Sequence, residues 1–341
     1  MSGNDIWPPR DRWVGAWLLL ICALVLAMIL VGGATRLTDS GLSITEWNLE
    51  KGLTPPLTAA RWAEEFALYQ TTMEYQAQNN GMSLEEFKHI YWWEWAHRFL
   101  GKMLGLAFAI PALILLITGH LRGRFRVTAL LFGLGGLQGF IGWWMVTSGL
   151  FDRLDVSPVR LAIHLAMAFC ILALTLWVAL GAFAWPARPS HLGLPKWTPF
   201  ALMALVFAQV VLGALLAGAD GGPAYADWPR IGGEWIPSSA FGLEPLWRNF
   251  TEDHATQHLM HRTTGYVVAA LAMLTALVAL VRGRGAARWA ALAVGLVATG
   301  QAALGVITVI HATPMALALP HQAGAALLWI TALVSARAAW R

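Results

Sequence analysis

Eight stretches of predominantly apolar residues divide the chain, at 13–34, 98–119, 127–149, 160–182, 197–218, 258–281, 287–309 and 317–338. Each is close to the ~20 residues that a helix needs to cross a hydrocarbon core. The pattern predicts an all-α integral membrane protein with eight transmembrane helices. Composition agrees: 57% of residues are hydrophobic and only 12% charged, against roughly a quarter charged in soluble domains. Nineteen tryptophans suit a chain with two membrane–water interfaces, where amphipathic rings collect. The first run is too long for a cleaved signal peptide, and no small-x-small site closes it.

Basic residues predict the orientation. Arg10 and Arg12 precede the first span, Arg122, Arg124 and Arg126 follow the second, Arg188 and Lys196 follow the fourth, Arg282, Arg284 and Arg288 follow the sixth, and Arg337 and Arg341 close the chain. The positive-inside rule puts these segments, and both termini, inside. The acidic residues gather on the other side, in two long loops at 35–90 and 219–257. Spread along the chain in this way, the net charge of +4 offers no single basic patch for a nucleic acid. Cys22 and Cys170 both lie in apolar runs, which leaves no disulfide framework and no cysteine metal site.

The two halves of the sequence repeat. "HRFLG" at 97–101 matches "HRTTG" at 261–265; Gln138 in "LQGFIGWW" matches Gln301 in "GQAALGVI"; Pro158 and His164 match Pro314 and His321. The fifth span, "QVVLGALLAG", is similar to the first, "MILVGGATRL". The landmarks recur in one order at near-constant spacing. They predict two four-helix bundles of the same direction, an amino-terminal unit at 1–190 and a carboxy-terminal unit at 191–341.

The repeat selects four of the ten histidines. His97, His164, His261 and His321 fall near the outer starts of the second, fourth, sixth and eighth spans. Two imidazoles at one depth in each bundle suit bis-histidine haem ligation. Zinc, the rival metal, takes four tetrahedral ligands, usually with cysteine or carboxylate among them, and suits two separated pairs poorly. His89, His120, His191, His254 and His311 lie in or beside loops and read as solvated. Arg98 and Arg262 follow two of the candidate ligands; a guanidinium there either pairs with a haem propionate or reaches lipid phosphate.

The halves differ at one position. Glu94 stands three before His97, where it shares a helix face with it; the matching residue before His261 is His258. A carboxylate beside one site only suits an oxidising site that must take protons from carbon. The alternative is that Glu94 caps a helix start. The segment "GGATRLTDSGLSITEW" at 32–47, rich in turn formers, reads as a lid over that site.

From "GGATRLTDSGLSITEW" through "EWAHRFLG", "GWWMVTSGL", "VRLAIHLA" and "HRTTGY" to "LPHQAG", the chain resembles the haem A synthase family over essentially its whole length. The resemblance implies eight transmembrane helices in two bundles and oxidation of the C8 methyl group of haem O to the formyl group of haem A, with oxygen from water, for haem-copper oxidase assembly. It implies Glu94 as the catalytic glutamate, His97 and His164 as ligands of the substrate haem, and His261 and His321 as ligands of a resident haem B. It further implies a haem O synthase (a farnesyltransferase) as donor and an electron acceptor that the sequence does not name. The lipid bilayer is the remaining partner, and the oligomeric state, a homo-oligomer included, is left open. The expected location is the inner (cytoplasmic) membrane of a bacterium, with both sites toward the periplasm, since the amino terminus carries no Arg- and Ser-rich leader. The loop 35–90 lacks the cysteine pair of one family branch, so the chain is more similar to the branch of mitochondria and many proteobacteria. His258 stands where an amide is expected, and so competes with His261 as ligand. Two other activities use the same histidines: a di-haem b-type electron carrier, and a haem transporter or chaperone.

Overall fold

A computed structural model describes residues 10–46, 53–151 and 153–340. In chain order the α-helices are α1 (Arg12–Leu37), α2 (Ala59–Tyr69), α3 (Met73–Ala77), α4 (Leu84–Ile117), α5 (Phe125–Phe151), α6 (Pro158–Ala182), α7 (Thr198–Gly218), α8 (Asn249–Glu252), α9 (His254–Arg282), α10 (Gly285–Ile310) and α11 (Met315–Trp340). All but α2, α3 and α8 are long and apolar enough to cross a membrane. The protein is thus a multi-pass membrane protein, with eight such helices among the described residues.

Polar caps, which hydropathy does not register, set the helix starts. Asp11 accepts from the backbone N–H groups of Trp13 and Val14 at the head of α1. Asp253 does the same for Ala255 and Thr256 at the head of α9. Ser83 and Glu86 form a reciprocal capping box at the head of α4, satisfying two helix-end donors. This helix begins at Leu84, well before the apolar run at 98. Its 34 residues span about 50 Å at 1.5 Å per residue, far more than a hydrocarbon core of roughly 30 Å. The first turns of α4 therefore stand clear of the apolar layer. There they pack with α2 and α3 in a small aromatic core of Tyr69, Phe87, Ile90 and Tyr91, flanked by Trp62, Phe66 and Tyr75.

The helices pack in two groups. α1 lies on α4 and α6, and α5 on α6 and α4; α7 lies on α9 and α11, and α10 on both of these. Neither α4 with α6 nor α9 with α11 makes more than glancing contact among the described residues. Each group thus has one pair of helices facing each other across its middle. The groups join along α6–α7, α1–α11 and α6–α11. Leu18 and Ile21 of α1, Phe169 and Leu172 of α6, Leu202 and Val206 of α7, and Trp329 and Leu333 of α11 form the shared core. Trp329 Nε1 donates to Phe169 O at 3.0 Å across this seam, Gln322 Nε2 donates to Ile29 O at 2.6 Å, and Arg36 pairs with Asp220. By contrast, α4 and α5 turn Ile110, Leu113, Ile114, Phe132 and Phe140 outward, as lipid-facing helices do.

The connections order themselves by side. The α6–α7 link, residues 183–197, meets the α9–α10 link through two backbone bonds between His191 and Arg284, at 3.2 and 2.9 Å. His120, after α4, bonds Asp11 at 2.6 Å while its side chain stays 38% exposed, so it is both solvated and tied to the chain start. A correction concerns 32–47. Residues 32–37 continue α1, so Gly32 and Gly33 serve helix packing and only the chain after Leu37 turns away. The part of that segment from 47 onward, with the rest of 47–52, lies outside the described residues.

Candidate active site

Each of the four selected histidines rests against a glycine of a neighbouring helix. His97 on α4 lies on Gly32 of α1, and His164 on α6 lies on Gly142 of α5. His261 on α9 lies on Gly213 of α7, and His321 on α11 lies on Gly305 of α10. A Cβ at any of these glycines would come within 2.9–3.0 Å of a ring atom, so a larger residue forces the ring or the helix to shift. In each group the two histidines come from the helices that face each other across the middle. The members of a pair are close enough to interact electrostatically. All four residues are half-buried.

Three of the rings carry a glutamine from the same neighbouring helix. Gln138 Nε2 lies 3.3 Å from both ring nitrogens of His164 and donates to its backbone carbonyl at 3.0 Å. Gln301 Nε2 lies 3.2 Å from His321 Nδ1 and donates to its carbonyl at 2.8 Å. Gln209 Nε2 lies 3.2 and 3.3 Å from the ring nitrogens of His261. The amide oxygens of all three are buried without a partner.

Glu94 is buried, 3% exposed, three turns inside α4. That position rules out the capping role, which Ser83 and Glu86 fill. Its Oε2 accepts from Ser43 Oγ at 2.8 Å and from the Ile44 amide at 2.7 Å; its Oε1 accepts from Arg98 Nη2 at 2.5 Å. Arg98 also donates to the carbonyls of Ile44 and Glu46, at 2.8 and 3.0 Å. Glu94 and Arg98 thus latch the chain after α1 onto α4, directly above His97. A carboxylate offers about four lone-pair sites, so one remains for a proton or a reacting group.

The other half repeats the latch with different chemistry. His258 is fully buried. Its Nε2 donates to Gly221 O at 2.8 Å, and its Nδ1 accepts from Arg262 Nη2 at 3.1 Å. Arg262 donates further to the carbonyls of Tyr225, Asp227 and Arg230, at 2.8–2.9 Å. Both nitrogens of His258 are therefore spent, whereas those of His261 face only an amide. The guanidinium groups of Arg98 and Arg262 serve loop carbonyls, a use that sequence reasoning did not anticipate. Main-chain acceptors carry no residue signature, so no sequence signal marks it.

A family model described as a cytochrome oxidase assembly protein, COX15-CtaA, matches residues 15–333. Three proteins named Heme A synthase align along almost the whole chain. The one from Maricaulis maris is 45% identical over 97% of both chains. That from Azorhizobium caulinodans is 45% identical over 98% of this chain and 97% of its own, and that from Rhodopseudomonas palustris is 46% identical over 96% and 91%. The chain belongs to the haem A synthase family.

The donor set suits the group that this family name implies. Among the described residues no three His, Cys, Asp or Glu side chains cluster as they do around zinc. Two imidazoles on helices that stand apart suit a flat macrocycle that brings four nitrogen ligands of its own. The glycines behind the rings and the unspent amide oxygens beside them form the rest of the cradle.

Proposed function

We propose that this protein is a haem A synthase that oxidises the C8 methyl group of haem O to a formyl group. The amino-terminal unit, 1–190, binds haem O as substrate between His97 and His164, with Glu94 at its edge. The carboxy-terminal unit, 191–341, holds haem B between His261 and His321. Haem B held there would supply one-electron redox capacity. Both sites lie toward the periplasmic face of a bacterial inner membrane. The observation that carries this reading is the single acid: two equivalent histidine pairs stand under two equivalent latches, and only one latch contains a carboxylate.

This chain's residues do the following. His97 and His164 orient the substrate ring from its two faces. The latched chain after α1 covers the ring edge and limits water there. When the methyl group becomes a formyl group, one water supplies the oxygen, four protons and four electrons leave, and the electrons go to an acceptor outside this chain. Positive charge builds at the carbon on the way. Glu94, held by three donors, sets a fixed negative charge near it, the preorganised type of stabilisation, and its remaining lone pair can take a proton.

Glu94→Gln preserves the acceptor for Arg98 but removes the charge. Haem should remain bound in both units, while haem A falls by about a hundredfold or more, in line with loss of an electrostatic or acid–base group. Extraction and mass identification of the tetrapyrroles reads this directly; undiminished haem A would reject the catalytic role. The same extraction tests the carrier reading, which the repeated latch favours because it explains an acceptor at position 94 without chemistry. A pure carrier yields two haem B and neither haem O nor haem A.

A further inference from the structure

The four histidine sites share one arrangement behind the ring, and one of its residues differs in a single site. The spanning helix behind each ring carries a residue four before its glycine: "QGFIG" at 138–142, "QVVLG" at 209–213, "QAALG" at 301–305, and "MILVG" at 28–32. The first three place an amide on the imidazole; the fourth places Met28. The slot is the same. Gln209 Nε2 lies 3.1 Å from where a Cβ on Gly265 would stand, four residues after His261. Met28 Cε lies 3.5 Å from where a Cβ on Gly101 would stand, four residues after His97. A thioether offers no donor and only a weak acceptor, and His97 makes no side-chain hydrogen bond among the described residues.

The rings record the difference. In His164, His261 and His321 the atom nearest to where a Cβ would stand on the glycine is Cε1, at 3.0, 2.9 and 2.9 Å, with Nδ1 next and Nε2 beyond it. In His97 the atom nearest to that point is Nε2, at 3.0 Å, followed by Cδ2. Three rings under an amide share one setting, and the ring under the methionine is turned.

We propose that Gln138, Gln209 and Gln301 are positioning residues that hold their imidazoles for iron, and that Met28 leaves His97 as the one releasable ligand of the four. The proposal rests on the reading of the amino-terminal unit as the substrate site. An imidazole bound to iron through one nitrogen carries its proton on the other and donates it to a neighbouring acceptor, whose loss typically weakens metal binding by 10–100-fold; each glutamine has an unpartnered amide oxygen that can turn to accept it. A resident haem profits from two held ligands, and His261 and His321 both have them. A substrate that must enter, react and leave profits from one held face, His164, and one that lets go, His97.

The test uses the full-length protein in detergent, loaded with haem, with excess apomyoglobin as the acceptor of released haem. The unmodified protein should lose one haem quickly and keep the other. Met28→Gln should slow the fast phase about tenfold and leave the bis-histidine low-spin spectrum in place, while Met28→Leu leaves it unchanged. Gln209→Met should speed the slow phase by a similar factor. His97→Ala separates the two levels of the argument. If it abolishes the fast-exchanging haem but Met28→Gln and Gln209→Met alter neither phase, the positioning proposal is overturned and the site reading stands. If His97→Ala retains both haems in low-spin form, the site reading is overturned and the proposal with it.

Discussion

Glu94 and His258 stand at matching positions, each four residues before an arginine that carries a loop. The latch needs an acceptor there, and a neutral imidazole provides one as well as a carboxylate does. A Glu94→His substitution should therefore keep the chain after α1 protected from protease while stopping haem A formation; loss of both would show that the charge serves the latch. His258→Ala should loosen the 219–257 loop without removing haem, and His261→Ala should remove it, as pigment content will show. Glu74, at the aqueous end above α4, is 2% exposed. Burial, and then the charges of Glu94, Asp155 and Asp39, push it up from 4.5 to about 8. The folded protein thus holds a proton that the unfolded chain releases. That contribution to stability is full below 4.5 and is lost as pH rises through about 8. Glu74→Gln should flatten the fall in thermal midpoint over this window, measured in detergent at a series of pH values; an unaltered slope would refute the assignment.

At the level of elements, α4 shows what hydropathy reveals and what it hides. The apolar run from 98 was legible, and so was the His97–Glu94 pairing, because i and i+3 share a face. The true start at Leu84 was not, because the added turns lie in water and are polar and aromatic. Its signature was present all the same, in the Ser83–Glu86 capping box. Ser83→Ala should cost about 1 kcal/mol and raise amide exchange over the first turns of α4. The repeat picked out all four histidines, since matching positions stand out even in one sequence. It also favoured His261 over His258, because the His-Arg pair recurs; what it could not show is that both nitrogens of His258 are engaged, one of them by the Gly221 carbonyl, a main-chain group supplied by a different helix end. The glycines give a sharper test of the elements that carry them. Gly213→Ala puts a methyl group 2.9 Å from His261 Cε1, so the ring must shift and the low-spin spectrum of the carboxy-terminal unit should weaken. An unchanged spectrum would mean that α7 yields instead.

For the whole molecule, two four-helix groups share one core and one direction. Single cysteines placed in the 119–124 or 183–197 links should react with impermeant reagents only from the cytoplasmic side, and those in the 219–257 loop only from the periplasmic side. The opposite pattern would invert the positive-inside assignment. Across the seam, Gly33 leaves room for Gln322 of the neighbouring group; a Cβ there would fall 2.0 Å from the amide oxygen. Gln322 follows His321 directly and bonds the carbonyl of Ile29, three residues before Gly32. The wall behind one histidine pair is thus fastened to the helix that bears a member of the other.

The link at 183–197 joins the groups after an even number of crossings, so the second group sets out from the side on which the first began. An ancestral gene encoding one such unit could be copied in tandem without turning the copy upside down. Two half-length chains of this kind would meet about an axis along the membrane normal with identical sites. Joined in one chain, the halves are free to differ, and they do: one has Glu94 and Met28 where the other has His258 and Gln209.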